Sequence, residues 1–89
     1  MRVVITVVGR DKVGIVAKVA TTCAKENINI VDINQNIMEG FFNMVLIADM
    51  PSEGISIKKA QETFQELGNE LGLEIRLQSE EIFSAMHRV

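Results

Sequence analysis

Residues Val7 to Val16 read VVGRDKVGIV, with Gly9 and Gly14 bracketing Arg10, Asp11, Lys12 and Val13 between a β-branched run and an apolar helical pattern. Glycine allows another group to approach the backbone closely. If a helix begins here, the unbonded amides of Gly14, Ile15 and Val16 point outward, and such amides hold a carboxylate without a charged side chain. Val13 and Gly14 are poor helix formers, so helix stability alone does not account for them. The same residues also describe a plain strand-to-helix turn in which Asp11 is the N-cap. Spacing supports both readings. A phosphate loop of the GxxxxGK[ST] type is excluded, because Ile15 follows Gly14 where lysine is required.

Other chemistries have less to stand on. His87 is the only histidine and lies near the C-terminus, where a tail would have to carry any imidazole chemistry. Cys23 is the only cysteine, and it falls at a helical core spacing, so it reads as a buried thiol rather than a nucleophile. No CxxC or HxxxH spacing exists and the acids are scattered along exposed faces, so no catalytic residue, metal or cofactor is expected. Glu80 and Glu81 suit the first turn of a helix, and Met38, Met44, Met50 and Met86 suit core or interface gaps.

With 89 residues the chain makes one domain near the size where burial is only marginally sufficient, which favours a partner chain. A hydrophobic content of 47% against 24% charged residues is that of an ordinary globular protein. The net charge of -3 argues against a nucleic-acid partner. So do Phe41, Phe42, Phe64 and Phe83, which are not interleaved with basic residues as base stacking requires. No apolar run approaches the ~18 residues of a membrane span, and no signal-peptide order is present, so a cytoplasmic location without membrane contact is expected.

These residues need elements to hold them. Val3 to Val8 is a short buried strand, followed by a helix from about Lys12 to Asn27 with an apolar stripe of Val16, Val19, Ala20 and Cys23. INIVDINQNIM follows with strand composition and a shift of phase near Val31. Glu39-Gly40 is a tight turn, and FFNMVLIADM returns as a hairpin partner. After Pro51 to Gly54, a second helix repeats Ile57, Ala60, Phe64, Leu67 and Leu71, ending at Gly72. LEIRLQ alternates Leu73, Ile75 and Leu77 inward. The tail has Ser79 as N-cap and Arg88 at its end; its apolar Ile82, Phe83, Met86 and Val89 need a surface on this chain or another.

The order is βαββαβ. It predicts an α+β, ferredoxin-like sandwich: a four-stranded antiparallel sheet with two helices on one face, plus a short C-terminal helix. The other face carries Phe41, Val45 and Ile47, and an apolar open face on so small a domain points to pairing. The domain is expected over 1–78, with a helical extension over 79–89.

VVGRDKVGIVAKV, the later ENINIVDINQ and this element order together resemble the ACT domain, a small ligand-binding module of amino-acid metabolism. The tail IFSAMHRV is similar to that of stand-alone ACT proteins related to the glycine-cleavage repressor. The resemblance implies that Asp11 helps bind a ligand's ammonium while loop amides near Gly14 and Ile15 meet its carboxylate. It implies that Asn29 completes the site across a dimer interface. Val13 stands where the family commonly has proline, and Gly9 where it sometimes has a polar residue. The candidate ligand-binding set is therefore Arg10, Asp11, Val13, Gly14, Ile15, Asn29, Asp32 and Gln35, the last two being polar strand residues that equally suit a solvated edge. A homodimeric regulatory module is expected, binding a small amino acid or related metabolite and modulating an enzyme or regulator, without being an enzyme. The alternative is a ligand-free interaction module docking to such a partner. An acylphosphatase-like enzyme would use Arg10 and Asn29, but its arginine pattern is not matched.

Overall fold

The computed structural model describes residues 1–51, 53–54 and 56–86. In chain order the elements are β1 (Arg2–Arg10), α1 (Ile15–Lys25), β2 (Asn29–Met38), β3 (Phe41–Asp49), α2 (Ile57–Leu71), β4 (Glu74–Ser79) and α3 (Glu80–Met86). The strands form one antiparallel sheet in the order β2-β3-β1-β4, the expected ferredoxin-like arrangement. Strand β1 runs longer than its β-branched segment because it sits at the centre, paired to β3 along Arg2 to Arg10 and to β4 along Val3 to Val8.

Alternation sets the core. Val3, Ile5 and Val7 of β1, Phe42, Met44, Leu46 and Ala48 of β3, and Ile75 and Leu77 of β4 are buried and share one face. Helix α2 closes over that face with Ala60 and Phe64 fully buried. Ser56 caps it by accepting from the Lys59 N–H at 3.2 Å, and Gly72 ends it in the left-handed region. Gly68 lets α2 lie close to the chain entering β4: a Cβ there would stand 2.7 Å from the Leu73 carbonyl oxygen.

The hairpin and the phase shift are as expected. Glu39 and Gly40 both have positive φ, 52° and 82°, which matches a two-residue turn to the twist of its strands. The β2–β3 register breaks between Ile30 and Asp32, leaving Val31 as the extra residue of a bulge.

Helix α1 departs from expectation. It starts at Ile15 rather than near Lys12, its N-cap is Gly14 at φ 89°, and no side chain bonds its first turn, so Asp11 is not the cap. Left-handed geometry at Gly14 lets the chain enter the helix one turn later than the polar residues suggest. The buried stripe is accordingly Ile15, Val19 and Cys23, with Val16 displaced to an exposed flank.

Part of the open face is covered by the chain itself. Ser79 accepts from the Ile82 N–H at 3.2 Å, which starts α3 directly at the end of β4. α3 contacts β1 and β4. Val4, whose side chain points away from the α1–α2 layer, is only 4% exposed, so α3 folds back over it. Phe41 at the other end of that face is exposed, while Val45 and Ile47 are half-buried. His87, Arg88 and Val89 lie outside the described residues.

Candidate functional site

The loop after β1 is fastened at three points. The Arg10 guanidinium lies over the Phe41 ring, 5.2 Å from its centroid. The Asp11 N–H donates to the Gly40 carbonyl at 2.9 Å, binding the loop to the hairpin turn. The Lys12 ammonium donates to the Leu71 carbonyl at 2.7 Å, satisfying one of the orphan carbonyls that end α2 and placing a cation at that helix's negative pole. Sequence reasoning passed over Lys12. Its partner is 59 residues away, and no local pattern announces such a contact.

These anchors leave the start of α1 open. The first intrahelical bond runs from the Lys18 N–H to the Gly14 carbonyl at 3.0 Å, and no side chain bonds the amides before it. No atom lies within 4 Å of where a Gly14 Cβ would stand. Ile15 contributes only its backbone, its side chain being buried, whereas Val13 is fully exposed. Asp11 is also exposed, three residues before Gly14. The loop thus offers an exposed carboxylate and, three residues on, the uncapped amides at the positive end of α1. That pairing suits a zwitterion.

Gly9 is explained by packing. A Cβ there would lie 2.5 Å from the Leu73 Cδ2, so the strand approaches β4 where a larger residue would displace a buried leucine.

The remaining expected residues do not join the loop within one chain. β1 and β2 both run antiparallel to β3, so they are parallel to each other. Asn29 pairs with Asp49, whose partner on β1 is Arg2, whereas the loop leaves from Arg10, paired with Phe41. At ~3.3 Å per strand residue the separation is roughly 25 Å. Asp32, opposite Ile47, points to the open face, and Gln35, opposite Met44, to the helix face. Of the eight candidates, Arg10, Asp11, Val13, Gly14 and Ile15 are contiguous along the chain from the end of β1 to the start of α1.

Two grooves lie elsewhere. One of about 450 Å³ runs between Gln61, Gln65 and Asn69 of α2 and the edge of β4, and one of about 330 Å³ lies between Lys18, Thr22 and Lys25 of α1 and Leu67 and Glu70 of α2. Among the described residues no group of three or more His, Cys, Asp or Glu side chains is placed to hold a metal, and no helix is long and apolar enough to cross a membrane.

Cys23 is buried in α1, and loss of solvent pushes its thiol up to about 11. It is therefore protonated at neutral pH. At pH 8 the thiolate fraction is about a hundredfold below that of an ordinary thiol, so alkylation by iodoacetamide should be slower by at least that factor in the folded protein. Unfolding in urea should restore the ordinary rate. Fast labelling of the native chain would contradict this placement.

A family model described as the ACT domain matches residues 1–78. The chain belongs to the ACT-domain family. Over 88 residues this ACT protein is 44% identical to a UPF0237 protein of Methanosarcina acetivorans, covering 99% of the chain and 96% of that relative. Among solved structures it is similar to an ACT domain protein from Streptococcus pneumoniae, with a TM-score of 0.83, 37% identity and 98% of each chain covered. It is also similar to a protein described as a glycine cleavage system transcriptional repressor, with a TM-score of 0.73 and 27% identity, covering 86% of this chain and 44% of that one. ACT domains are regulatory ligand-binding modules.

Proposed function

We propose that this ACT protein is a homodimeric cytoplasmic sensor that binds a small amino acid or related metabolite and modulates an enzyme or regulator, with no reaction of its own. The observation that supports this most is the uncapped first turn of α1 behind Gly14, with Asp11 beside it. The ligand's carboxylate accepts from the amides of Gly14, Ile15 and Val16. Its ammonium meets Asp11. Both halves of a zwitterion are bound, and a molecule lacking either loses one of them. Arg10 and Lys12, each tied to a neighbouring element, hold the loop still, which lowers the ordering cost on binding. Asn29 joins the site from the second subunit. Binding alters a partner only if the ligand favours one of two assembly states over the other.

Calorimetric titration with the common amino acids tests this reading. At least one should bind with a dissociation constant in the millimolar range or tighter, and Asp11→Ala should weaken it by about tenfold or more, the value of one lost charge-assisted bond. If no amino acid binds, or Asp11→Ala binds equally well, the site as drawn is wrong. Docking to a protein partner with no effect of added metabolite would instead favour a ligand-free interaction module, for which the exposed Met38 and Phe41 on the open face are available.

A further inference from the structure

The end of α2 and the start of β4 meet at a corner, residues 71–73, that the loop after β1 touches twice. Gly72 turns the corner at φ 70°, and its N–H donates to the Gly68 carbonyl, which also accepts the Leu73 N–H at 2.8 Å. Gly9, at the root of the loop, lies against Leu73: a Cβ there would stand 2.5 Å from the Leu73 Cδ2 and 3.5 Å from its Cα. Three residues on, the Lys12 ammonium reaches the Leu71 carbonyl at 2.7 Å, lying so close to Gly72 that a Cβ on it would stand 3.3 Å from Nζ. A shift of the corner therefore alters the support of the loop at two points. Leu73 also lines the groove beside Gln61, Gln65 and Asn69, so the same shift reaches that groove.

The two contacts differ in kind. Leu73 is buried, so its contact with Gly9 is fixed by the core. The Lys12 bond is exposed, spans 59 residues of chain and rests on one flexible side chain. Water competes for both partners, so this bond can open while the core stays closed. On the loop's other flank, Arg10 and Asp11 are held by the hairpin through the Phe41 ring and the Gly40 carbonyl. Lys12 is thus the point at which the loop can let go of the helix layer. Gly14 follows two residues later, and its φ of 89° sets the direction in which the chain enters α1. The path of residues 12–14 and the state of the corner therefore depend on each other.

We propose that the Lys12–Leu71 hydrogen bond is a strap that couples the first turn of α1 to the α2–β4 corner. With the strap closed, residues 12–14 are held against the helix layer, the amides of Gly14, Ile15 and Val16 keep their places, and the last turn of α2 keeps a cation at its negative end. With it open, the loop loses that support and the Leu71 carbonyl turns to water. A carboxylate that needs the amides in place binds the closed form more tightly, so occupancy closes the strap. By linkage, whatever steadies the corner raises affinity by the same factor. That consequence rests on the amino-acid site proposed above; the strap itself does not. Occupancy of the loop is then felt at Leu73, in the groove between α2 and β4.

Amide hydrogen exchange of the full chain, followed by nuclear magnetic resonance, tests the strap without any ligand. Lys12→Met keeps an unbranched stem and removes the donor. It should speed exchange of the Leu73 and Asp11 amides by about fivefold or more each, the scale of one charged hydrogen bond discounted for exposure, while Ile5 in the central strand keeps its rate. Lys12→Arg retains a cationic donor and should leave both amides close to their wild-type rates. Glycine, alanine and serine at millimolar concentration then test the coupling. The one that shifts the Gly14 amide should slow Leu73 exchange in the wild type and leave it unchanged in Lys12→Met. Leu73 or Asp11 exchange indifferent to Lys12→Met, or an equal ligand response at Leu73 in that variant, would overturn the proposal. If none of the three shifts the Gly14 amide, the ligand site fails and the ligand-free rates still decide the strap, so the two failures are separable.

Discussion

Replacing Phe64 by alanine is expected to destabilise the folded domain by about 3–5 kcal/mol. Phe64 is fully buried and is the largest of the sealed side chains, in the middle of the α2 stripe between Ala60 and Leu67. It shares one core cluster with the Val, Ile, Met and Leu side chains of the sheet face, and strand pairing hinders these from moving inward to fill the space. The loss therefore includes a cavity as well as a transfer component. Domains of this size carry roughly 5–15 kcal/mol of total stability, so a large share would be removed. At ~4–8 °C per kcal/mol the melting temperature should fall by roughly 15–30 °C in a thermal circular-dichroism scan. A loss below about 1 kcal/mol would mean that α2 does not seal the core as described.

Gly68→Ala sets two effects of opposite sign against each other. Alanine in a helix interior is favoured over glycine by about 1 kcal/mol, so a surface position would be stabilised. Here the new methyl would stand 2.7 Å from the Leu73 carbonyl oxygen and 3.4 Å from the Ile75 Cγ1. The first contact is with backbone that is itself held, since the Leu73 N–H donates to the Gly68 carbonyl at 2.8 Å. Relief requires α2 to lift from β4, which also loosens the Gln61 bond to Leu77. Overpacking of this kind costs typically 1–3 kcal/mol and outweighs the propensity gain, so a net loss of about 1–2 kcal/mol is expected in urea unfolding. A stabilised variant would contradict the close approach of α2 to the Leu73 backbone.

At the periphery the Arg2 and Asp49 side chains pair at 2.9 Å, which raises the guanidinium and lowers the carboxyl through their hydrogen bond. With its carboxyl depressed in the folded state, Asp49 contributes stability above its unfolded value that is lost as pH falls through the folded one. The pair is half-exposed, so its contribution is small and shrinks with salt.

What could be read from the sequence was what local pattern determines. The α2 repeat, the Glu39-Gly40 turn and the shift of phase near Val31 each rest on residues that are neighbours along the chain, and each stands as read. The start of α1 was misplaced because Asp11 and Gly14 offer equally good local signals. The choice between them is made by distant contacts: Gly40 takes the Asp11 N–H and Leu71 takes Lys12, which hold the loop extended past the aspartate. The seat of α3 on the sheet was likewise undecidable locally, since Ile82 and Phe83 would suit a surface on any chain. Strand composition alone also left Asn29 and the Gly9–Gly14 loop unplaced relative to each other. The parallel relation of β1 and β2 puts them at opposite ends of the sheet.

The central claim, that a zwitterion sits on the first turn of α1, is tested most directly by amide nuclear magnetic resonance of the uniformly labelled protein as glycine, alanine and serine are added to millimolar concentration. Saturable shifts are expected for at least one of them, largest at the amides of Gly14, Ile15 and Val16 and absent in Asp11→Ala. Unmoved amides at those three positions, or saturable shifts confined to the grooves beside α2, would contradict it.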